Sequence, residues 1–304
     1  MRYRNWAVLQ IDETEEKSLP EFEDSVVAVE GLKIRVLRKT VANRQTPPLL
    51  LFNGIGANAD LFKPLMTDLE PIECITFDVP GIGGSKPTLL PMRFKALSKL
   101  SAKLLDHFDY GNVDVLGVSW GGGLAQEFAR NHQQRCRRLI LAATSPGVVM
   151  VPSKPSVFMK LSTPKRYLDE SYLFEVAHHI YGGVLREHPE QIQAFAEHIK
   201  PAKSGRGYLN QLMAMAGWTS IHWLHKLKQP TLILSGVDDP LVPLANGKIL
   251  SARIPNSRLE EINCGHLLLL TQREVVVPMI SAFLLNDELF GGELLDGALP
   301  GGAN

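Results

Sequence analysis

The sequence lacks the features of a secreted or membrane-bound chain. It has three cysteines in 304 residues, and such a small, odd number favours reduced thiols in a cytosol over a disulfide framework. Met1 to Lys17 contains no apolar run that could serve as a signal peptide, and no later run is long enough to span a membrane. We therefore expect a cytoplasmic protein without a transmembrane segment.

An excess of charge of one sign is also lacking. Lys+Arg and Asp+Glu are equal, at 32 each, so the chain has no basic field that would attract nucleic acid or an anionic membrane. Hydrophobic residues make up 45% of the chain, which at this length can bury a large core without the help of a disulfide or a metal. The composition thus predicts a globular protein with no nucleic-acid partner, and it leaves the oligomeric state open.

What the chain does have is an alternation of apolar runs and helical periodicities. Val26 to Val29 and Ile34 to Leu37 predict a hairpin or a pair of edge strands, and Phe94 to Phe108 predicts a helix. A last helix is predicted from about Glu274 to Leu285. Further runs typical of buried strands begin at Leu49, Cys74, Val113, Leu139, Thr231 and Leu259. This alternation predicts an α/β fold with a mostly parallel, eight-stranded sheet and helices on both faces.

The region between the strands at Leu139 and Thr231 differs in character. Apolar residues recur there at i, i+3, i+4 and i+7, the spacing of an amphipathic helix, in three stretches: Leu173 to Ile180, Ile192 to Ile199 and Leu209 to Ala216. We interpret residues 146–229 as an inserted helical cap, or lid, and residues 21–145 and 230–290 as the core. Residues 1–20 and the glycine-rich residues 291–304 are expected to be flexible extensions.

The central motif is the stretch Val113 to Gly123, an apolar strand that runs into a glycine-rich turn and then a helix. Ser119 stands at the turn, with Gly117 and Gly121 two residues to either side. This Gly-x-Ser-x-Gly spacing is typical of a nucleophile elbow, in which a strained serine leaves no room for side chains where strand and helix meet. We therefore predict Ser119 as the catalytic nucleophile.

A serine needs a base to take its proton and a third group to orient that base. Asp238 and Asp239 follow the strand at Thr231, and because neighbours in an extended stretch point in opposite directions, one of them can face a histidine. His266 follows the last predicted strand, whereas the other histidines lie at helix ends or in the cap. The order serine, aspartate, histidine is that of the α/β-hydrolase triad, which leaves Asp239 and Asp238 as alternative acids.

Acyl transfer also needs backbone N–H groups that stabilise an oxyanion. Trp120, directly after the predicted nucleophile, should supply one N–H group, and Ile55, in the glycine-rich turn after the strand at Leu49, the other. Asn53 precedes this turn. It is a candidate substrate-binding residue, although its side chain could instead hold the loop or end the strand.

Two other candidates have simpler interpretations. Asp78 begins an Asp-x-Pro-Gly-x-Gly-x-Ser turn that recurs structurally in hydrolases of this fold, so we expect a structural role for it. His222 and His225 are spaced i, i+3, but the sequence offers no third ligand. We therefore expect neither a metal nor a cofactor.

Several motifs of the sequence resemble those of a known family. The motifs that carry the resemblance are Pro48 to Asn58, Phe77 to Ser85, Gly117 to Gly122, Gly217 to His225 and Asp238 to Pro243. They resemble those of the intracellular medium-chain-length polyhydroxyalkanoate depolymerases, which belong to the α/β-hydrolase superfamily. The resemblance covers about residues 25 to 285. It includes the spacing of 27 residues between Asp239 and His266, which favours Asp239 over Asp238 as the acid.

The resemblance implies a serine hydrolase that cleaves a storage polyester of 3-hydroxy fatty acids at granule surfaces, through an acyl-enzyme. Such an oily substrate needs an apolar site, and Trp218, Trp223 and Met213 are the predicted substrate-binding residues of the cap. The alternative is that they form the core of the cap and its packing on the sheet. One alternative is a carboxylesterase of small molecules, or a hydrolase of carbon–carbon bonds, on the same fold. Another is a granule-binding protein with a vestigial triad.

Overall fold

The computed structural model describes residues 22–162, 165, 169–188 and 205–286. Three predictions lie outside these residues: the N-terminal extension over 1–20, the C-terminal extension over 291–304, and the cap helix around Ile192 to Ile199.

The sheet has eight strands in the order β1-β2-β4-β3-β5-β6-β7-β8. The strands are β1 (Phe22–Val29), β2 (Leu32–Lys39), β3 (Leu49–Phe52), β4 (Cys74–Phe77), β5 (Val113–Val118), β6 (Cys136–Ala142), β7 (Thr231–Gly236) and β8 (Ser257–Ile262). β1 pairs antiparallel with β2, and β2 with β4, whereas all later pairs are parallel. The prediction of a mostly parallel, eight-stranded sheet is confirmed.

Helices cover both faces of the sheet, as predicted. The core helices are α1 (Lys63–Asp68), α2 (Phe94–His107), α3 (Trp120–Asn131), α8 (Ala245–Arg253), α9 (Leu268–Thr271) and α10 (Arg273–Leu285). Residues of α2, α3 and α8 pack into one apolar cluster on the sheet, and residues of α1, α9 and α10 pack into a second. Because both faces are covered, β3 and β4 are buried at every position, which is why their sequences are apolar runs without alternation.

Residues 146–229, which we call the cap segment, leave and rejoin the core at one place. Their described helices are α4 (Pro155–Ser162), α5 (Glu170–Tyr181), α6 (Val184–Glu187) and α7 (Gly205–Met215). The Val148 N–H group donates to the Trp218 carbonyl at 2.9 Å, and Ser220 N–H to the Pro146 carbonyl at 3.0 Å. The predicted apolar face of α5 is buried, so that helix and its orientation are confirmed.

The predicted apolar face of α7 is wrong. Leu209 and Met213 are 55% and 53% exposed, whereas Gly207, Gln211 and Ala214 on the opposite side are buried. The reason is close backbone contact, because a Cβ atom at Gly207 would lie 1.9 Å from the Gly81 carbonyl oxygen. The helix thus buries Gly207, Gln211 and Ala214 together with Tyr208, and Leu209 and Met213 point outward.

Arg35 of β2 joins three parts of the core through carboxylates. It donates to Asp24 of β1 at 2.6 Å, to Asp60 in the segment after β3 at 2.9 Å, and to Asp78 after β4 at 3.3 Å. Its hydrogen bonds lower the pKa of Asp60 to about 2. The side chain of Asp78 is fully buried, so Arg35 supplies the positive charge that this buried carboxylate needs.

Replacing Arg35 by methionine should lower the free energy of unfolding by about 3 kcal/mol, because it leaves the buried Asp78 carboxylate without its counter-charge. Chemical denaturation at neutral pH measures the change. The control is Arg258→Met, which removes the more exposed pair with Glu260 and should change the free energy by less than about 1 kcal/mol. A loss from Arg35→Met no larger than that of the control would contradict this account.

Candidate active site

Ser119 occupies a sharp turn between β5 and α3. Its backbone has φ 54° and ψ −119°, a strained conformation for a residue with a side chain. A Cβ atom at Gly121 would lie 2.1 Å from the Phe52 carbonyl oxygen, and one at Gly117 would lie 2.3 Å from the Gly121 carbonyl oxygen. The two glycines of the motif are therefore required by the close approach of α3 to β3 and β5.

Hydrogen bonds on both sides of Ser119 hold the turn. The Ser119 N–H group donates to the Ala142 carbonyl at the end of β6, at 2.9 Å. The Ser119 carbonyl accepts from the Thr144 hydroxyl at 2.7 Å and from the Gly122 N–H group at 2.9 Å. Both peptide groups of the strained residue are thus fixed, which keeps its side chain at the sheet edge.

The structure brings Asp239 and His266 into direct contact. The distance between His266 Nδ1 and Asp239 Oδ2 is 2.7 Å, and the two side chains are 6% and 0% exposed. The second carboxylate oxygen of Asp239 accepts the N–H groups of Leu241 and Val242, both at 2.9 Å. Both oxygens of this buried carboxylate are therefore hydrogen-bonded, and the Nε2 atom of His266 is left for a different partner.

The adjacent carboxylate, Asp238, points toward the cap segment instead. It accepts the Gly183 N–H group at 2.8 Å and pairs with the Arg186 guanidinium at 2.6 Å. Of the two alternatives that the sequence left open, Asp239 is the one that contacts His266, and Asp238 is a link between core and cap.

The loop that carries His266 is itself held by the cap segment. The His266 N–H group donates to the Tyr181 carbonyl at 2.7 Å, and the two aromatic rings lie nearly parallel, at 12°. A Cβ atom at Gly265 would lie 2.0 Å from the Tyr181 carbonyl oxygen, and one at Gly182 would lie 2.2 Å from the Asp238 carbonyl oxygen. These close backbone contacts interlock the end of α5 with both loops.

The loop after β3 lies on the other side of Ser119. The Asn53 side chain donates to the Asn58 carbonyl at 2.5 Å and accepts the Gly54 N–H group at 2.9 Å. Its side chain therefore holds the loop. Asn53 also borders the cavity described below, so its role in substrate binding stays a prediction. Ile55 lies in this loop, and Trp120 is the first residue of α3, where N–H groups have no acceptor within the helix.

Asp78 has the structural role that the sequence predicted. Its carboxylate accepts the N–H groups of Ala59 at 2.7 Å and of Gly84 at 2.8 Å. Burial raises the pKa of Asp78, although these hydrogen bonds and Arg35 act in the opposite direction. The side chain thus connects the segment after β3 to the turn after β4 and does not enter the site.

A cavity of about 90 Å³ adjoins Ser119 and His266, and its walls are mostly apolar. The wall consists of residues from the segment after β3, α1, the end of β5, the loop after β7 that carries Asp238 and Asp239 (the acid loop), the His266 loop, α9 and the end of α5. Its apolar residues include Ile55, Leu61, Phe62, Leu65, Val118, Tyr181, Leu241, Leu267, Leu269 and Leu270. Sequence reasoning did not single out most of these leucines, because nothing local distinguishes them from core leucines.

The predicted substrate-binding residues of the cap do not border this cavity. Trp218 packs edge-on against Phe94 and donates its indole N–H group to Glu127 at 2.9 Å. Trp223 is 7% exposed within the core cluster, and Met213 is on the outward face of α7. The tryptophans pack where the cap segment rejoins the core, with Trp223 buried and Trp218 half-buried, and a role of the three residues in substrate binding stays a prediction.

Burial raises the pKa of Cys264, two residues before His266, to about 12, and such a buried thiol is inert. Among the described residues, no three His, Cys, Asp or Glu side chains are grouped as metal ligands would be. Within the same part of the chain, no helix has the length and apolar character needed to cross a membrane.

Comparison with known proteins gives one family. The model of the alpha/beta hydrolase fold family matches residues 47–272. The poly(3-hydroxyalkanoate) depolymerase of Ectopseudomonas oleovorans is 52% identical over 240 residues, which are 78% of this chain and 84% of that protein. The pimeloyl-[acyl-carrier protein] methyl ester esterase of Aromatoleum aromaticum is 29% identical over 251 residues, 77% of this chain and 96% of that protein.

A solved structure supports the same fold. The crystal structure of a hydrolase from Pseudomonas aeruginosa PA01 superimposes with a TM-score of 0.73 at 22% identity, over 86% of this chain and 98% of that one. Since the family model matches most of the chain and a relative is 52% identical, the chain belongs to the α/β-hydrolase fold family and is a carboxylic ester hydrolase related to that poly(3-hydroxyalkanoate) depolymerase.

Proposed function

We propose that the protein hydrolyses the ester bonds of medium-chain-length poly(3-hydroxyalkanoate) and releases 3-hydroxyalkanoic acids or short oligomers. The observation that carries this proposal is the apolar cavity that Ser119 and His266 both border. The 52% identity to a depolymerase of poly(3-hydroxyalkanoate) supports the same substrate class.

Ser119 Oγ attacks the ester carbonyl while His266 Nε2 takes its proton. The carbonyl π electrons move onto oxygen, and the N–H groups of Ile55 and Trp120 stabilise the resulting oxyanion. Collapse of this intermediate breaks the bond to the leaving alcohol, which receives the proton from His266. Water then repeats the sequence on the acyl-enzyme, so that the acid is released and Ser119 is regenerated.

Asp239 orients the base. By accepting a hydrogen bond from Nδ1–H of His266 at 2.7 Å, it selects the tautomer whose Nε2 is free to take a proton, and it stabilises the imidazolium that forms. The two N–H groups that donate to its other oxygen keep the carboxylate from rotating away.

The cavity would bind the alkyl side chain or the acyl chain of the polymer. Each methylene group that leaves water for an apolar wall contributes about 0.8 kcal/mol, so longer side chains should bind better than a methyl group until the cavity is full. Because such a polymer is insoluble in water, the enzyme would act at the surface of cytoplasmic granules.

The direct test supplies emulsions of short-side-chain and medium-side-chain polyester in parallel and identifies the acids released. We expect hydroxy acids or oligomers from the medium-side-chain polymer, little product from the other, and none from Ser119→Ala. Hydrolysis of soluble short esters without either polymer would instead indicate a small-molecule carboxylesterase. A protein that binds the granules but hydrolyses no ester and is not labelled by a fluorophosphonate would overturn the catalytic proposal.

The two adjacent carboxylates allow a matched test of the triad. Asp239→Asn should lower kcat by about 10⁴-fold, because the amide favours the wrong tautomer of His266. Asp238→Asn, one residue away, should leave kcat within about tenfold, since it weakens only the link to Gly183 and Arg186. The measurement is kcat of the two variants and of the wild type on a soluble p-nitrophenyl ester. Equal losses in the two variants would refute the assignment of Asp239.

The cavity predicts how acyl-chain preference can be changed. Leu270→Trp adds bulk to a half-buried part of the wall and should lower the ratio of kcat/KM for p-nitrophenyl octanoate to that for the acetate by at least about tenfold. Leu89→Trp, at an exposed position away from the cavity, is the control and should leave the ratio unchanged. If the ratio is also unchanged in Leu270→Trp, this cavity is not the acyl site.

A further inference from the structure

Gln211 of α7 touches both segments that carry the proposed oxyanion donors. Its side-chain oxygen accepts the Gly56 N–H group at 2.6 Å, and its backbone carbonyl accepts the Trp120 indole N–H group at 2.8 Å. The residue is 3% exposed, so these contacts are made away from water. A single buried residue of the cap segment therefore contacts the loop after β3 and the residue after Ser119.

The contact of Gln211 with Gly56 restricts the backbone at Ile55, whose N–H group is a proposed oxyanion donor. Gly56 follows Ile55 directly, in a turn closed by the Ala57 N–H group, which donates to the Gly54 carbonyl at 3.2 Å. Because the peptide bond is planar, fixing the Gly56 N–H direction also fixes the Ile55 carbonyl, which restricts the rotation of the loop about Ile55. Without Gln211, the buried Gly56 N–H group would have to turn toward another acceptor.

Gln211 is held in place by the helix and not by the loop. Gly207 lies one turn earlier on the same face of α7, in close backbone contact with the Gly81 turn. Ala214, on the same stripe, is buried in the core cluster. The backbone position of Gln211 is thus set by contacts outside the loop after β3, and from this fixed position its side chain reaches the Gly56 N–H group.

We propose that Gln211 is a positioning residue for the oxyanion site: it holds the loop after β3 so that the Ile55 N–H group points at the developing oxyanion. This inference rests on the proposed serine-hydrolase function. It makes the cap segment part of the catalytic machinery, in addition to any role in covering the substrate. An uncharged amide suits the position, since a carboxylate there would repel the oxyanion.

The test uses Gln211→Met, which keeps the length without the acceptor, and Gln211→Asn, which keeps the amide but is one methylene too short to reach Gly56. With p-nitrophenyl octanoate, kcat should fall about 10- to 100-fold in both, less than the 10²- to 10³-fold loss of a whole oxyanion donor. KM should stay within about twofold, because the contact matters in the transition state. If one variant does not fold, as judged by circular dichroism, the other carries the test.

The matched control is Gln229→Met. Gln229 is also a buried glutamine, but its amide donates to the Ala129 carbonyl near the far end of α3. We expect this substitution to cost stability without changing kcat. A similar fall of kcat in Gln229→Met would mean that general destabilisation explains the effect, and it would overturn the inference.

A second readout separates positioning from substrate binding. A trifluoromethyl ketone adds reversibly to the serine: the Ser119 Oγ–carbon bond forms, the carbonyl oxygen becomes an oxyanion, and the serine proton passes to His266. Its inhibition constant should rise in both Gln211 variants by the same factor as kcat falls, whereas inhibition by the matched methyl ketone, which forms little adduct, should not change. Equal changes for the two ketones would refute a role at the oxyanion.

The outcomes distinguish this inference from the proposed substrate. Wild-type protein that hydrolyses the soluble ester but no polymer overturns the substrate and leaves Gln211 in its role. An active wild-type enzyme whose two Gln211 variants keep full kcat overturns the inference alone. A wild-type protein that hydrolyses no ester overturns both.

Discussion

The site depends on one constraint, the strained backbone of Ser119. A residue held at φ 54° costs roughly 1–3 kcal/mol and persists only where its surroundings leave no alternative. Here the surroundings are backbone: Gly117 and Gly121 bring β5, α3 and the end of β3 so close that a single Cβ atom would overlap. The serine turn and the start of the loop after β3 are thus one packed unit, and the candidate nucleophile and oxyanion donors share it.

Close backbone contacts at glycines also join the cap segment to the core. On the histidine side, Gly182 and Gly265 are in backbone contact with the acid loop and with Tyr181, and on the oxyanion side Gly207 is in backbone contact with Gly81. A rigid-body opening of the whole cap segment would separate these pairs and would remove the backbone acceptor of His266. The backbone contacts of the cap segment therefore help to hold the loops that carry the candidate site residues.

The sequence predicted the sheet and the chain order of the candidate triad, because a period of two, a period of 3.6 and a Gly-x-Ser-x-Gly turn are local signals. It did not predict the packing of α7, where Leu209 and Met213 gave a helical stripe that points outward. The contacts of Trp218 and Gln211 could not be predicted from the sequence for a related reason. Trp218 contacts Glu127 and Gln211 contacts Trp120, each 91 residues away along the chain, and Gln211 also contacts Gly56, 155 residues away. No local spacing encodes such contacts.

Asp238 and Asp239 show what the alternation of side chains along an extended stretch can predict and what it cannot. Alternation along an extended stretch requires that the two carboxylates point in opposite directions, so only one can serve His266, but the rule does not say which. The choice is made by burial: Asp239 is fully buried, with hydrogen bonds from two N–H groups and His266. Asp238 is 41% exposed and pairs with Arg186. A buried carboxylate needs hydrogen-bond donors, and Asp239 has three, the N–H groups of Leu241 and Val242 and the His266 ring.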